Sequence, residues 1–76
     1  MNLKQLQYFI AVVEEKQITA AAKKLNIAQP PLSYQLKQLE AELETKLFTR
    51  TAHGIVLTDA GMMLEKYARK IVDLTA

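Results

Sequence analysis

Apolar residues recur at helical spacing from the start of the chain. Leu3, Leu6, Phe9, Ile10 and Val13 line one face, which predicts a first helix from about Leu3 to Glu15. Asn2 can cap its exposed amides while Gln5, three residues on, reaches back. Lys16-Gln17 breaks the pattern, and Thr19 is a cap candidate for a short, alanine-rich helix over Ala20 to Leu25. Asn26 can take the left-handed conformation that ends it, and Pro30 marks the next start. In that third helix Leu32, Leu36, Leu39 and Leu43 advance by four, three and four, a single inward stripe.

The opposite face of the third helix carries Pro30, Tyr34, Lys37, Gln38 and Ala41, with Ser33 at its edge and no acid before Glu40. Beyond it, the runs Leu47 to Thr51 and Ile55 to Thr58 favour strands around Ala52-His53-Gly54, which predicts a short hairpin. Thr58 or Asp59 caps a last helix. Its apolar stripe is Ala60, Leu64, Tyr67, Ile71 and Leu74, and Glu65 pairs with Arg69 across one turn.

Composition narrows the chemistry. With 76 residues, 50% hydrophobic and 24% charged, the chain suits one small folded domain and is too apolar for intrinsic disorder. There is no cysteine, one histidine (His53) and one serine (Ser33), which leaves almost nothing for a catalytic triad or a metal cluster. No cofactor, metal or catalytic residue is expected. No apolar run reaches the length of a membrane span and Met1 to Gln5 lacks the basic start of a signal peptide, so no membrane partner is expected and the cytoplasm is the default location.

Net charge is only +2, but it is sorted along the chain. Lys16, Lys23, Lys24 and Lys37 face no acid between positions 16 and 38, Lys46 and Arg50 follow, and Glu40, Glu42 and Glu44 lie between the two basic groups. A short helix, a tight turn and a second helix with an acid-free outer face form a helix-turn-helix pattern, whose second helix fits the DNA major groove. Gln29, Ser33, Tyr34 and Lys37 offer groups able to reach base edges, and Pro30 lies at the same helix start. Gln38, Arg50, Thr51 and His53 are the phosphate candidates, the last three on the hairpin tip.

Over nearly its whole length the sequence resembles the N-terminal DNA-binding domain of LysR-type transcriptional regulators. The resemblance is carried by Ala21-Ala22-Lys23-Lys24-Leu25-Asn26-Ile27, Gln29-Pro30-Pro31-Leu32-Ser33, Leu39-Glu40, Leu47-Phe48-Thr49-Arg50-Thr51 and Leu57-Thr58-Asp59-Ala60-Gly61. It implies a mainly α winged helix-turn-helix over residues 1–58, with the recognition helix at about 30–43 and the wing at about 47–57. Residues 59–76 would begin a linker helix that pairs two copies through Leu64, Tyr67, Ile71 and Leu74. It implies a homodimer on an inverted-repeat duplex, and a small-molecule effector acting only through a separate C-terminal domain. The rival from another class is a winged-helix module that binds proteins.

Several positions depart from the family's usual residues. Ala28 stands where Ser or Thr is common before the recognition helix, and Tyr34 replaces a frequent arginine. Glu44 occupies a usual glycine position, which implies that the third helix ends differently or one turn later. His53-Gly54-Ile55-Val56 takes the place of basic wing residues, which implies a weaker hold on phosphate.

Overall fold

In the computed structural model, which describes residues 1–75, the chain forms helices α1 (Leu3–Glu15), α2 (Ile18–Leu25) and α3 (Gln29–Leu43). A hairpin of β1 (Phe48–Thr51) and β2 (Gly54–Leu57) follows, then helix α4 (Asp59–Asp73). At the start of α1 the Gln5 amide donates to Asn2 Oδ1 at 2.8 Å and the Asn2 amide donates to Gln5 Oε1 at 3.2 Å, the reciprocal cap the sequence predicts. Gln5 is buried, and its Nε2 donates to Gln35 Oε1 on α3 at 3.1 Å, so the cap is also tied to the third helix.

α2 starts earlier than its sequence suggests. Its first residue is Ile18 and its cap is Gln17, with no side-chain bond to the first amides; Thr19 lies inside the helix. The reason is packing: Ile18 is buried in the core and pulls the helix start to itself, whereas a capping hydroxyl at Thr19 would leave that side chain outside the helix. Asn26 does end α2 in the left-handed region, and Ala28, without a capping side chain, precedes α3. α3 therefore begins at Gln29, with Pro30 and Pro31 in its first turn.

The core gathers Leu6, Phe9 and Val12 of α1, Ile18, Ala21 and Ala22 of α2, and Leu32, Leu36 and Leu39 of α3. Leu43 is 36% exposed, so the leucine stripe is core for three of its four members and its last turn projects past the packed layer. Glu44 then closes the helix in the left-handed region at φ 54°, so α3 stops where the family's glycine would stop it and not a turn later.

Leu47, which reads in sequence as part of a strand, is buried just before β1 and joins the core. The hairpin pairs Phe48 with Leu57, Thr49 with Val56, Arg50 with Ile55 and Thr51 with Gly54, which leaves a two-residue loop of Ala52 and His53. The rings of Phe48 and Phe9 lie 5.4 Å apart, which fastens the hairpin to α1. Gly54 (φ 126°) runs against the α1–α2 turn: a Cβ there would stand 2.5 Å from the Lys16 carbonyl oxygen, the same oxygen that accepts the Ile55 amide at 2.9 Å.

α4 is capped by Thr58, whose Oγ1 accepts the Gly61 amide at 3.1 Å and donates to the Lys46 carbonyl at 2.6 Å. The single apolar stripe expected on α4 resolves into two adjacent rows. Ala60, Leu64, Ala68 and Val72 pack on the chain's own core, with Ala68 fully buried; Met63, Tyr67, Ile71 and Leu74 face solvent. Leu64 thus belongs to the intramolecular row. Arg69 donates to Glu65 at 2.9 Å and to Glu14 of α1 at 3.3 Å, and Lys24 of α2 donates to Glu14 at 2.9 Å. These two cations hold the Glu14 carboxyl below its ordinary value, the lysine contributing most.

A residue other than glycine in the left-handed region costs about 1–2 kcal/mol, part of which glycine would return through its freer unfolded state. Glu44→Gly should therefore raise stability by about 0.5–1 kcal/mol in urea unfolding; an unchanged or lower midpoint would show that the cap carries no strain.

Candidate nucleic-acid interface

Burying Leu32, Leu36 and Leu39 turns the opposite side of α3 outward, and that side is where the expected contact residues fall. Gln29, Pro30, Tyr34, Lys37 and Gln38 are exposed and Ser33 is half-buried. Tyr34, 59% exposed, is neither packed inside the fold nor covered by the terminal segment. On the hairpin, Arg50, Thr51 and His53 are exposed as well.

Ser33, Lys37 and Arg50 border one groove of about 320 Å³ between α3 and β1, with Lys46 on its rim. A second, smaller cleft of about 190 Å³ brings Gln29 together with Arg50 and Thr51, and adds Gln17 and Thr19 from the start of α2. Gln17 and Thr19, read in sequence only as a helix break and a cap, join the cleft through the α1–α2 turn that Gly54 packs against. Tyr34, Gln38 and Pro30 lie on the open convex side of α3, and His53 lies at the wing tip, outside both depressions.

Three cations, Lys37, Lys46 and Arg50, surround the groove. The acid there, Glu40, is turned to the backbone: its Oε2 accepts the Leu47 amide at 2.7 Å and the Phe48 amide at 3.3 Å, and its Oε1 lies 4.0 Å from Lys46 Nζ. Its charge is spent on fixing the chain as it leaves α3 for the wing.

Two details limit what this surface offers a phosphate. The start of α3 offers little to an anion through its backbone, because Pro30 and Pro31 have no amide hydrogen and Ala28 adds no hydroxyl. Gln29 thus counts through its side chain. The Thr51 hydroxyl donates to the Gly54 carbonyl at 3.0 Å and accepts the His53 amide at 3.2 Å, so its one proton closes the turn and is not free for a phosphate oxygen. Among the described residues no three His, Asp or Glu side chains converge, and no helix is long and apolar enough to cross a membrane.

Comparison with known proteins places this geometry. Residues 3–62 match the model of the bacterial regulatory helix-turn-helix proteins of the lysR family. The chain belongs to the LysR family. Within it, the chain is 49% identical to the HTH-type transcriptional regulator BudR of Klebsiella aerogenes over 99% of its own length and 52% of that protein's. Its identity to the regulator ClcR of Pseudomonas putida is 47%, over 99% of the chain and 26% of ClcR. The chain thus spans between a quarter and about half of these LysR relatives.

Among solved LysR structures, the DNA-binding domain of BenM in complex with catB site 1 DNA superposes with a TM-score of 0.95, at 45% identity, covering 99% of this chain and 84% of that one. The CbnR DNA-binding domain in complex with DNA gives 0.93, at 45% identity, covering 99% and 86%. The fold is therefore the winged helix-turn-helix of LysR DNA-binding domains.

Removing the Glu40 carboxylate leaves two amide donors at the root of the wing without an acceptor, at about 1–3 kcal/mol. Glu40→Ala should lower the unfolding free energy by that amount and speed hydrogen exchange at Leu47 and Phe48; unchanged exchange at both amides would mean the wing is held by other contacts.

Proposed function

We propose that this chain is the sequence-specific DNA-binding unit of a bacterial LysR-type transcription regulator. Residues 1–58 form the binding unit and residues from 59 onward begin the linker helix. The observation that carries this reading is the outward face of α3: uncharged from Gln29 to Leu36, cationic at Lys37, and flanked across one groove by Arg50 of the wing. That sequence of groups matches a duplex, whose groove floor offers donors, acceptors and methyl groups while its walls are phosphate.

α3 enters the major groove with Gln29, Pro30, Ser33, Tyr34 and Lys37 toward base edges. Arg50, with Gln38 and His53, lies along the flanking backbone. No bond is made or broken: affinity comes from phosphate neutralisation, and selectivity from a few contacts worth about 1–3 kcal/mol each. A second copy, joined through the outward row of α4, sets the other half of an inverted repeat at a fixed spacing. BenM and CbnR support this reading, since both are solved with DNA on domains of this fold.

Titration against an inverted-repeat duplex and a scrambled one, at several salt concentrations, tests the reading. Arg50→Ala should weaken both equally and flatten the salt slope by about 0.9, the share of one phosphate. Lys37→Ala should cost about 1–3 kcal/mol on the preferred duplex and narrow its lead over the scrambled one. Negligible binding to both duplexes by the unaltered chain would leave the protein-binding module in its place.

The seam has its own test. Tyr67, Ile71 and Leu74 present apolar surface to water, Leu74 at 87% exposure, and covering a large side chain is worth about 1.5–3 kcal/mol. In sedimentation the Ile71→Asp, Leu74→Asp double variant should run as a single protomer, and an association unchanged from the parent chain would place the seam elsewhere.

A further inference from the structure

Tyr34 is the large apolar side chain that the outward face of α3 leaves bare, more than half exposed and one turn into the helix. Its phenol has no hydrogen-bond or cation partner among the described residues, and no charged side chain occurs between Ala28 and Leu36. Pro30, four residues earlier, stands on the same face and is also exposed. Helical side chains lean toward the N-terminus, which sets the Tyr34 ring beside the turn carrying Pro30. An apolar patch with one hydroxyl at its edge therefore crowns the surface that meets the groove.

We propose that Tyr34 is a thymine-reading residue, its ring covering the C5-methyl group and its hydroxyl donating to the neighbouring O4; this rests on the DNA-binding reading above. The chemistry of the base edges selects thymine among the four. Guanine presents two acceptors that call for two donors, and adenine an acceptor beside a donor that an amide meets better. Cytosine offers an amino donor and no methyl. Thymine alone sets an apolar methyl beside a single acceptor, which one phenol matches in both parts. The position that is frequently arginine in the resemblance drawn above, suited to guanine, is thereby turned toward thymine in this chain.

The test begins with selection of preferred duplexes from a randomised pool by the unaltered chain. Each thymine of the selected duplex is then replaced singly by uracil, which deletes the methyl and keeps O4. At one thymine per half-site the replacement should weaken binding about four-fold, the effect of one buried methyl. Tyr34→Phe should keep that uracil penalty while binding the parent duplex more weakly, and Tyr34→Ala should bind thymine and uracil duplexes alike. Tyr34→Arg should select guanine at the same position. Because the side chain is exposed, all three variants should melt with the parent chain.

If the pool yields a preferred duplex but no thymine distinguishes the parent chain from Tyr34→Ala, the thymine assignment is overturned and the DNA-binding reading stands. If no duplex is enriched, both fall together.

Discussion

The candidate surface hangs from the carboxylate of Glu40. A two-stranded hairpin of four-residue strands has no core of its own and is marginal in water. Its position must come from outside: Phe48 packs on Phe9, the Ile55 amide donates to the Lys16 carbonyl, and Glu40 near the end of α3 accepts the Leu47 and Phe48 amides at the root of the wing. The same bonds occupy the acid nearest the groove, so the depression between α3 and β1 is dominated by Lys37, Lys46 and Arg50. The same side chain thus helps to hold the wing and leaves the groove to its cations, in a chain whose net charge is only +2.

Local signals carried much of the architecture. The Asn2–Gln5 box and Asn26 act within four residues and form where the sequence places them, and of the two caps it allows for α4 Thr58 is the one used. The expectations that shifted were those decided by tertiary packing. Thr19 is a sound cap by type, but burial of Ile18 outweighs the gain of about 1 kcal/mol from a capping hydroxyl. Leu43 follows the leucine period but ends 36% exposed, at the edge of the packed layer. On α4, periodicity alone merged two rows that lie side by side; only the position of α1 separates Ala68, a small residue needed for close approach, from Tyr67 beside it.

For the site, the legible part was the outward face of α3, because a helix with one fully apolar stripe has only one way to face. The grooves were not legible, since they join residues from α2, α3 and β1 through the Gly54–Lys16 approach. A glycine in a hairpin reads as turn chemistry, yet Gly54 sits at its left-handed angle because another backbone passes where a side chain would be. Gly61 is similar: a Cβ there would run into the Leu47 carbonyl, so the α4 cap and the start of the wing are packed backbone to backbone. Two glycines that look like loop flexibility are points of contact.

Helix α4 joins the two ends of this system. Its inner row is part of the core that fixes α3, and its outer row, the proposed seam, faces solvent, so the outer row cannot rotate without disturbing the inner one. Arg69 bridges Glu65 within α4 and Glu14 on α1, and Lys24 extends the chain of charges to α2. Exposed ion pairs of this kind contribute little stability. Their consequence is geometric: together with the close packing at Ala68 they restrain α4 against α1, to which Lys24 ties α2. Two recognition helices joined through the outer rows would therefore keep a spacing determined by side chains that touch neither DNA nor the partner.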